Sequence, residues 1–185
     1  IAHGIQTMSL GYLVTENTPL IWRGLIVSDT LQKLIKNTQW EGLDYLVVDM
    51  PPGTGDVQLT LAQTLQVDAA IIVTIPSNLS LVEVKKAVSM FDKVNIKVAG
   101  VVENMTSHTC IKCGHNSHIF GKESGDFLEI NKLESLVQLP MQENINLQNE
   151  AGVPIVLTDA DLAVNAIYAD LAAKIIARVE PFMKG

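Results

Sequence analysis

Leu46-Val47-Val48-Asp49-Met50-Pro51-Pro52-Gly53-Thr54-Gly55-Asp56 is the stretch on which the reading of this chain turns. It continues from Tyr45 as a short, unbroken apolar run ending in an acid. Ala69 to Thr74 and Val98 to Glu103 are built the same way, rich in Val and Ile and without alternation, as expected of parallel strands covered on both faces. Open α/β sheets bind ligands outside the carboxyl ends of such strands, where Asp49 stands. A carboxylate there suits a Mg²⁺–nucleotide site, holding the metal through its water. The two glycines that follow let backbone amides approach a γ-phosphate without interference from a Cβ, and Pro51 and Pro52 stiffen the turn. A plain strand-to-helix connection with Asp56 as N-cap would need neither the paired prolines nor the paired glycines.

Outward from this stretch, Asp56 to Leu65 reads as a helix, and Ser80 to Val94 carries Leu81, Val84, Val88 and Phe91 at helical spacing. Ser28 to Asn37 reads as a further helix and Ile5 to Leu10 as a strand. Leu136 to Leu139 is a strand stopped by Pro140, and about Ala160 to Val179 forms a long closing helix. Strands alternating with helices imply right-handed crossovers and a doubly wound α/β sheet, mostly parallel, with helices on both faces. The 185 residues, 48% hydrophobic, can bury one sizeable core, so residues 1–185 are expected to be a single domain. Residues 104–125 form an irregular insert holding both cysteines and three of the four histidines. A net charge of −7 argues against nucleic acid or anionic membrane as partners. No run of eighteen apolar residues is present, and Ile1 to Ile5 do not read as a secretory signal. Ile1 falls inside what reads as a strand, so the chain is expected to be cut from something longer.

Cys110-Ile111-Lys112-Cys113-Gly114-His115 is the second chemical constellation. Cysteines this close cannot staple a fold and read as a ligand pair in a reducing, cytoplasmic setting. A C-x₂-C turn lets both thiolates converge on one metal or cluster iron, but supplies only half a coordination shell. Three completions are open: a second copy bringing its own pair across a two-fold axis, a zinc site closed by His108, His115 or His118, or a dithiol redox centre.

The run Asp49 to Asp56 resembles the switch II segment of the Mrp/ApbC family, in the deviant-Walker-A class of P-loop ATPases that also contains MinD and ParA relatives. Ile21-Trp22-Arg23-Gly24, Val102-Glu103-Asn104-Met105 and Ile119-Phe120-Gly121 resemble the same family. The resemblance implies a P-loop NTPase-type sheet lacking its first strand and P-loop, with the cysteine insert added. It implies a catalytic set of Asp49 as the Walker B acid, Gly53 near the γ-phosphate, and Asp56. Asn104 would recognise the adenine edge, with Pro140 and Gly55 completing the nucleotide contacts. Cys110 and Cys113 of both chains of a homodimer would share a labile [4Fe–4S] cluster, taken from a donor and passed to apo-protein recipients. The implied cofactors are ATP, Mg²⁺ and the cluster, with Zn²⁺ a substitute in aerobically handled protein. No G-x-x-x-x-G-K-[ST] motif occurs: around Gly121-Lys122, Asn116 replaces the first glycine and Glu123 the Ser/Thr. The fragment alone is therefore expected to lack ATPase activity that the intact protein has. The rival reading is a zinc-stabilised, non-catalytic dimerisation scaffold.

Overall fold

Branched apolar side chains on both faces make a good strand only where each face finds a cover and each edge a ladder partner. The computed structural model describes residues 1–13, 24–50, 53, 55–122 and 124–182, with backbone alone for 24–28, 31, 56 and 57. Pro51, Pro52, Thr54, Ile21 to Arg23 and Glu123, which carry part of the sequence pattern, lie outside the described residues. The chain divides into two compact units, Ile1–Gln66 and Val67–Gly185.

The second unit carries the sheet. Its elements are β1 (Ala70–Thr74), α3 (Asn78–Lys93), β2 (Val98–Glu103), β3 (His108–Thr109), β4 (Asn116–Ser117), α4 (Gly125–Ile130), β5 (Ser135–Gln138), α5 (Glu143–Glu150) and α6 (Leu162–Val179). The main sheet has the order β1-β2-β5, parallel throughout, with Thr74 opposite Glu103 and Glu103 opposite Gln138. One face packs Ile72 and Val101 against Val84 of α3 and Leu128 of α4. The other packs Val102, Leu136 and Leu139 against Leu171 of α6, with Ile167 and Ile175 beside it. Helices therefore cover both faces, and the expected strands and crossovers of this unit form close to the predicted boundaries. Asp161 starts α6 by accepting the Val164 N–H at 3.1 Å, satisfying one of the first-turn donors. Among the described residues, no helix is long and apolar enough to cross a membrane.

The first unit holds α1 (Gly24–Asn37) packed on α2 (Asp56–Thr64), with Gln58, Leu61 and Ala62 buried. Two expected strands do not form here. Tyr45 to Asp49 is without ladder partners among the described residues, and Val47 is 90% exposed. Composition alone cannot make a strand; backbone hydrogen bonds to a neighbour do. Ile5 to Leu10 carries only an isolated bridge, Ala2 with Ile5, because His3 (φ 51°) and Gly4 (φ 81°) fold the chain back at once. Its end winds into a 3₁₀ turn, Leu10–Tyr12, capped by Ser9.

Candidate functional site

The cysteine pair sits at the tip of a two-stranded antiparallel hairpin. β3 pairs with β4 through His108 opposite Ser117 and Thr109 opposite Asn116, leaving 110–115 as the turn. The Cys110 N–H donates to the His115 carbonyl at 2.9 Å, and the Gly114 N–H donates back to the Cys110 carbonyl at 2.8 Å. Curling the chain this tightly needs a left-handed residue, supplied by Gly114 at φ 69°. Both thiols are free; Cys113 is exposed and Cys110 partly so. The backbone amide of Cys113, then that of Lys112, then the Cys113 thiol donate toward the Cys110 sulfur and hold its pKa below that of an ordinary thiol. Amides aimed at a sulfur favour the thiolate, the form that binds metal.

The histidines do not complete a shell around this pair. Among the described residues, no three His, Cys, Asp or Glu side chains are grouped to hold a metal ion. The zinc site closed within one chain by His108, His115 or His118 is therefore not assembled here. The Nδ1 of His118 lies 2.7 Å from the Thr106 carbonyl, so Nδ1 carries the proton and donates. The return leg is seated by Gly121, where a Cβ would stand 2.1 Å from the Pro76 carbonyl oxygen. Only glycine permits that approach.

Asn104 and Pro140 lie at the carboxyl ends of β2 and β5, on neighbouring segments. The Leu139 N–H donates to the Glu103 carbonyl at 2.8 Å, and the Met141 N–H to that of Ser107 at 2.7 Å. Between them, the Leu139 carbonyl accepts both the N–H of Thr106 at 3.0 Å and its hydroxyl at 3.2 Å. The Asn104 N–H donates to the Thr74 carbonyl at 2.6 Å, and its Oδ1 accepts the Met105 N–H at 3.0 Å. Glu103 is only 2% exposed. Its Oε1 accepts from Ser135 Oγ at 2.7 Å and Gln138 Nε2 at 3.3 Å, while Oε2 has no partner among the described residues.

In the first unit, Asp49 is exposed and Gly53 turns the chain at φ 98°. Gly55 is the N-cap of α2, so Asp56 opens the helix instead of capping it. Gln58 is buried beneath both glycines: a Cβ on Gly53 would lie 3.7 Å from its Nε2, and one on Gly55 3.5 Å from its Oε1. Sequence reasoning passes over Gln58 and Thr106. Gln58 has a signal, a polar residue three positions before buried Leu61 on one helix stripe. Thr106 has none, because its partner Leu139 is 33 residues away.

Comparison with known proteins bears on the family and the fold. A family model described as "ParA: NUBPL iron-transfer P-loop NTPase" matches residues 1–176. An iron–sulfur cluster carrier protein of Pseudomonas fragi is 48% identical over 172 residues, 92% of this chain and 60% of the relative. One of Escherichia coli K12 is 42% identical over 180 residues, 97% of this chain and 49% of the relative. The chain thus spans about half the length of the curated relatives it matches. Among solved structures, a nucleotide-binding protein of Archaeoglobus fulgidus in complex with ADP superposes with a TM-score of 0.62 at 31% identity, covering 69% of this chain and 53% of that one. The fold is accordingly the mostly parallel, helix-covered sheet of P-loop NTPases, and the chain belongs to the ParA/NUBPL family of iron-transfer P-loop NTPases.

Proposed function

We propose that the intact protein is an ATP-dependent iron–sulfur cluster carrier in the cytoplasm, with residues 1–185 forming part of one P-loop ATPase domain. The observation that carries this reading is the cysteine hairpin: two convergent thiols, one with its thiolate favoured, and no third ligand grouped with them among the described residues. A half-shell of this kind suits a cluster bridging two identical chains, with Cys110 and Cys113 of each protomer supplying the four thiolates of a [4Fe–4S] cargo. An exposed bridging site also suits delivery. Transfer is a ligand exchange in which recipient thiolates replace those of Cys110 and Cys113 at iron, with no change in oxidation state. The carrier names of the relatives support the same reading.

For the nucleotide, Asp49 would hold the water of a bound Mg²⁺, and Gly53 and Gly55 would present amides to the terminal phosphate, with Asp56 at the helix start. Asn104 would read the adenine edge, its carboxamide offering donor and acceptor, beside Pro140. The intact protein would hydrolyse ATP; residues 1–185 alone, without a phosphate-binding loop motif, would not.

The test is iron, acid-labile sulfide and zinc analysis with native mass on intact protein prepared without oxygen. About four irons and four sulfides per dimer are expected, and none after Cys113→Ala. About one zinc per monomer, with no sulfide even after reconstitution, would replace the carrier by the zinc-stabilised scaffold.

A further inference from the structure

The ladder between β2 and β5 does not stop where the regular strands end. Beyond Glu103 and Gln138 it continues through the Glu103, Leu139 and Ser107 carbonyls to the amides of Leu139, Thr106 and Met141, at 2.8, 3.0 and 2.7 Å. A regular parallel ladder advances two residues between successive bonds; here the step from Glu103 to Thr106 is three. A second slip follows at Thr106–Ser107, since it is the Ser107 carbonyl that accepts from Met141; the first extra residue lies at Asn104–Met105, where Met105 adopts φ 55°. That is a bulge, with a non-glycine residue held in the left-handed region. Bulges of this kind re-aim a side chain, and the one at the bend is Asn104.

The same extension carries the cysteine hairpin. Thr106 and Ser107 lead directly into β3 and Cys110, and the descending leg is fastened to them by the hydrogen bond from His118 Nδ1 to the Thr106 carbonyl, at 2.7 Å. Thr106, 6% exposed, is the crossing point: its N–H and hydroxyl both grip Leu139, and its carbonyl holds His118. Leu139 and Met141 flank Pro140. The two residues assigned to the base therefore sit on the two strands of the clamp from which the hairpin hangs.

We propose that this bulged clamp, Asn104–Ser107 against Leu139–Met141 with His118 as its latch, couples nucleotide occupancy to the ordering of the cysteine hairpin. The proposal rests on the reading that Asn104 and Pro140 contact the base. A ligand fixing those residues stabilises the clamped arrangement over an opened one, and the hairpin closes with it. In this proposal Thr106 and His118 are positioning residues, acting through Leu139 and the hairpin's return leg.

The experiment is amide hydrogen exchange on the cluster-free intact protein, with and without saturating ADP. The readouts are the Cys110 and Gly114 amides, whose acceptors lie within the hairpin, alongside the ADP dissociation constant. In the unaltered protein ADP should slow exchange at both amides by roughly fivefold or more, the lower end of ordinary coupling. Thr106→Val with His118→Phe should reduce that slowing to less than about twofold. The dissociation constant should stay nearly unchanged, because the opened hairpin is a minor state. Thr106→Ser, which keeps the hydroxyl, should retain the slowing. Full slowing in the Thr106→Val, His118→Phe protein would overturn the clamp as the route. ADP that binds without altering either amide in the unaltered protein would overturn the coupling while leaving the carrier reading intact. Failure to bind ADP at all would overturn the coupling together with the ATPase reading, and the metal and sulfide analysis would still decide the cluster.

Discussion

Tyr45 to Met50 and Val98 to Met105 are near copies in composition, each an apolar run that ends in an acid and opens into a loop with chemistry, yet they are held in different ways. In β2 the Val-Val pair is sealed, with Val101 at 0% and Val102 at 4% exposure, and Glu103 follows at 2%. Strands pair with it on both edges, and helices cover both its faces. In Tyr45 to Asp49 the matching Val47 is 90% exposed and no ladder partner stands among the described residues. The loop after β2 is accordingly anchored by four hydrogen bonds to neighbouring chain, those of Asn104, Thr106 N–H, Thr106 Oγ and Met141. Of the residues described after Asp49, Gly55 is the N-cap of α2, its carbonyl accepting the Leu59 N–H at 3.1 Å. A strand end is a rigid platform only when the strand is paired.

The contrast between the two runs can be broken at four points. The largest effect is expected at Asp49→Asn in the intact protein. Loss of the carboxylate should lower the ATP hydrolysis rate roughly a hundredfold or more, measured by phosphate release with nucleotide affinity as control. A rate within a factor of about three would show that the acid after the exposed run is not the metal-water ligand. Next comes Val101→Thr, which places a hydroxyl in a sealed core without a partner. It should destabilise the second unit by about 1–3 kcal/mol, read from urea denaturation. Gly114→Ala forces a Cβ into the left-handed region with no compensating contact, costing about 1–2 kcal/mol of local hairpin stability. Faster hydrogen exchange at Cys110 would report that loss, whereas Gly114→Asn should largely restore protection. The smallest change belongs to Val47→Thr, the same substitution as at Val101 in the exposed run. It should alter the stability of this chain by less than about 0.5 kcal/mol. A loss equal to that at Val101 would mean that Val47 is buried in solution and that the two runs are alike after all.

Much of the second unit is legible in the residue pattern alone. The predicted strands over 69–74, 98–103 and 136–139 and the helices over 80–94 and 160–179 form within two residues of their expected ends. Their apolar patterns are strong and their boundaries carry Pro, Asn or Asp. The turn at Cys110 to Cys113 is legible because spacing and Gly114 make it from adjacent residues, but the flanking strands are not: residues 104–125 read as irregular, and β3 pairs with β4 there. Tyr45 to Asp49 misleads because a strand is a property of a pair of segments, and one segment's composition does not name its partner. The helix that begins at Gly24 is expected four residues later, at Ser28, because Gly24 to Val27 carries no N-cap side chain of the usual kind.

The residue pattern by itself determined the α/β class, the two chemical loops and the pairing of Cys110 with Cys113, because these depend on contacts within a few residues along the chain. Tertiary structure alone decided that His118 meets the Thr106 carbonyl, that Thr106 grips Leu139, that Glu103 is buried beside Ser135 and Gln138, and that Gly121 must lie against Pro76. Each of these joins residues from 12 to 45 positions apart. Their free energy comes from hydrogen bonds and packing that exist only once the sheet has brought distant strand ends side by side.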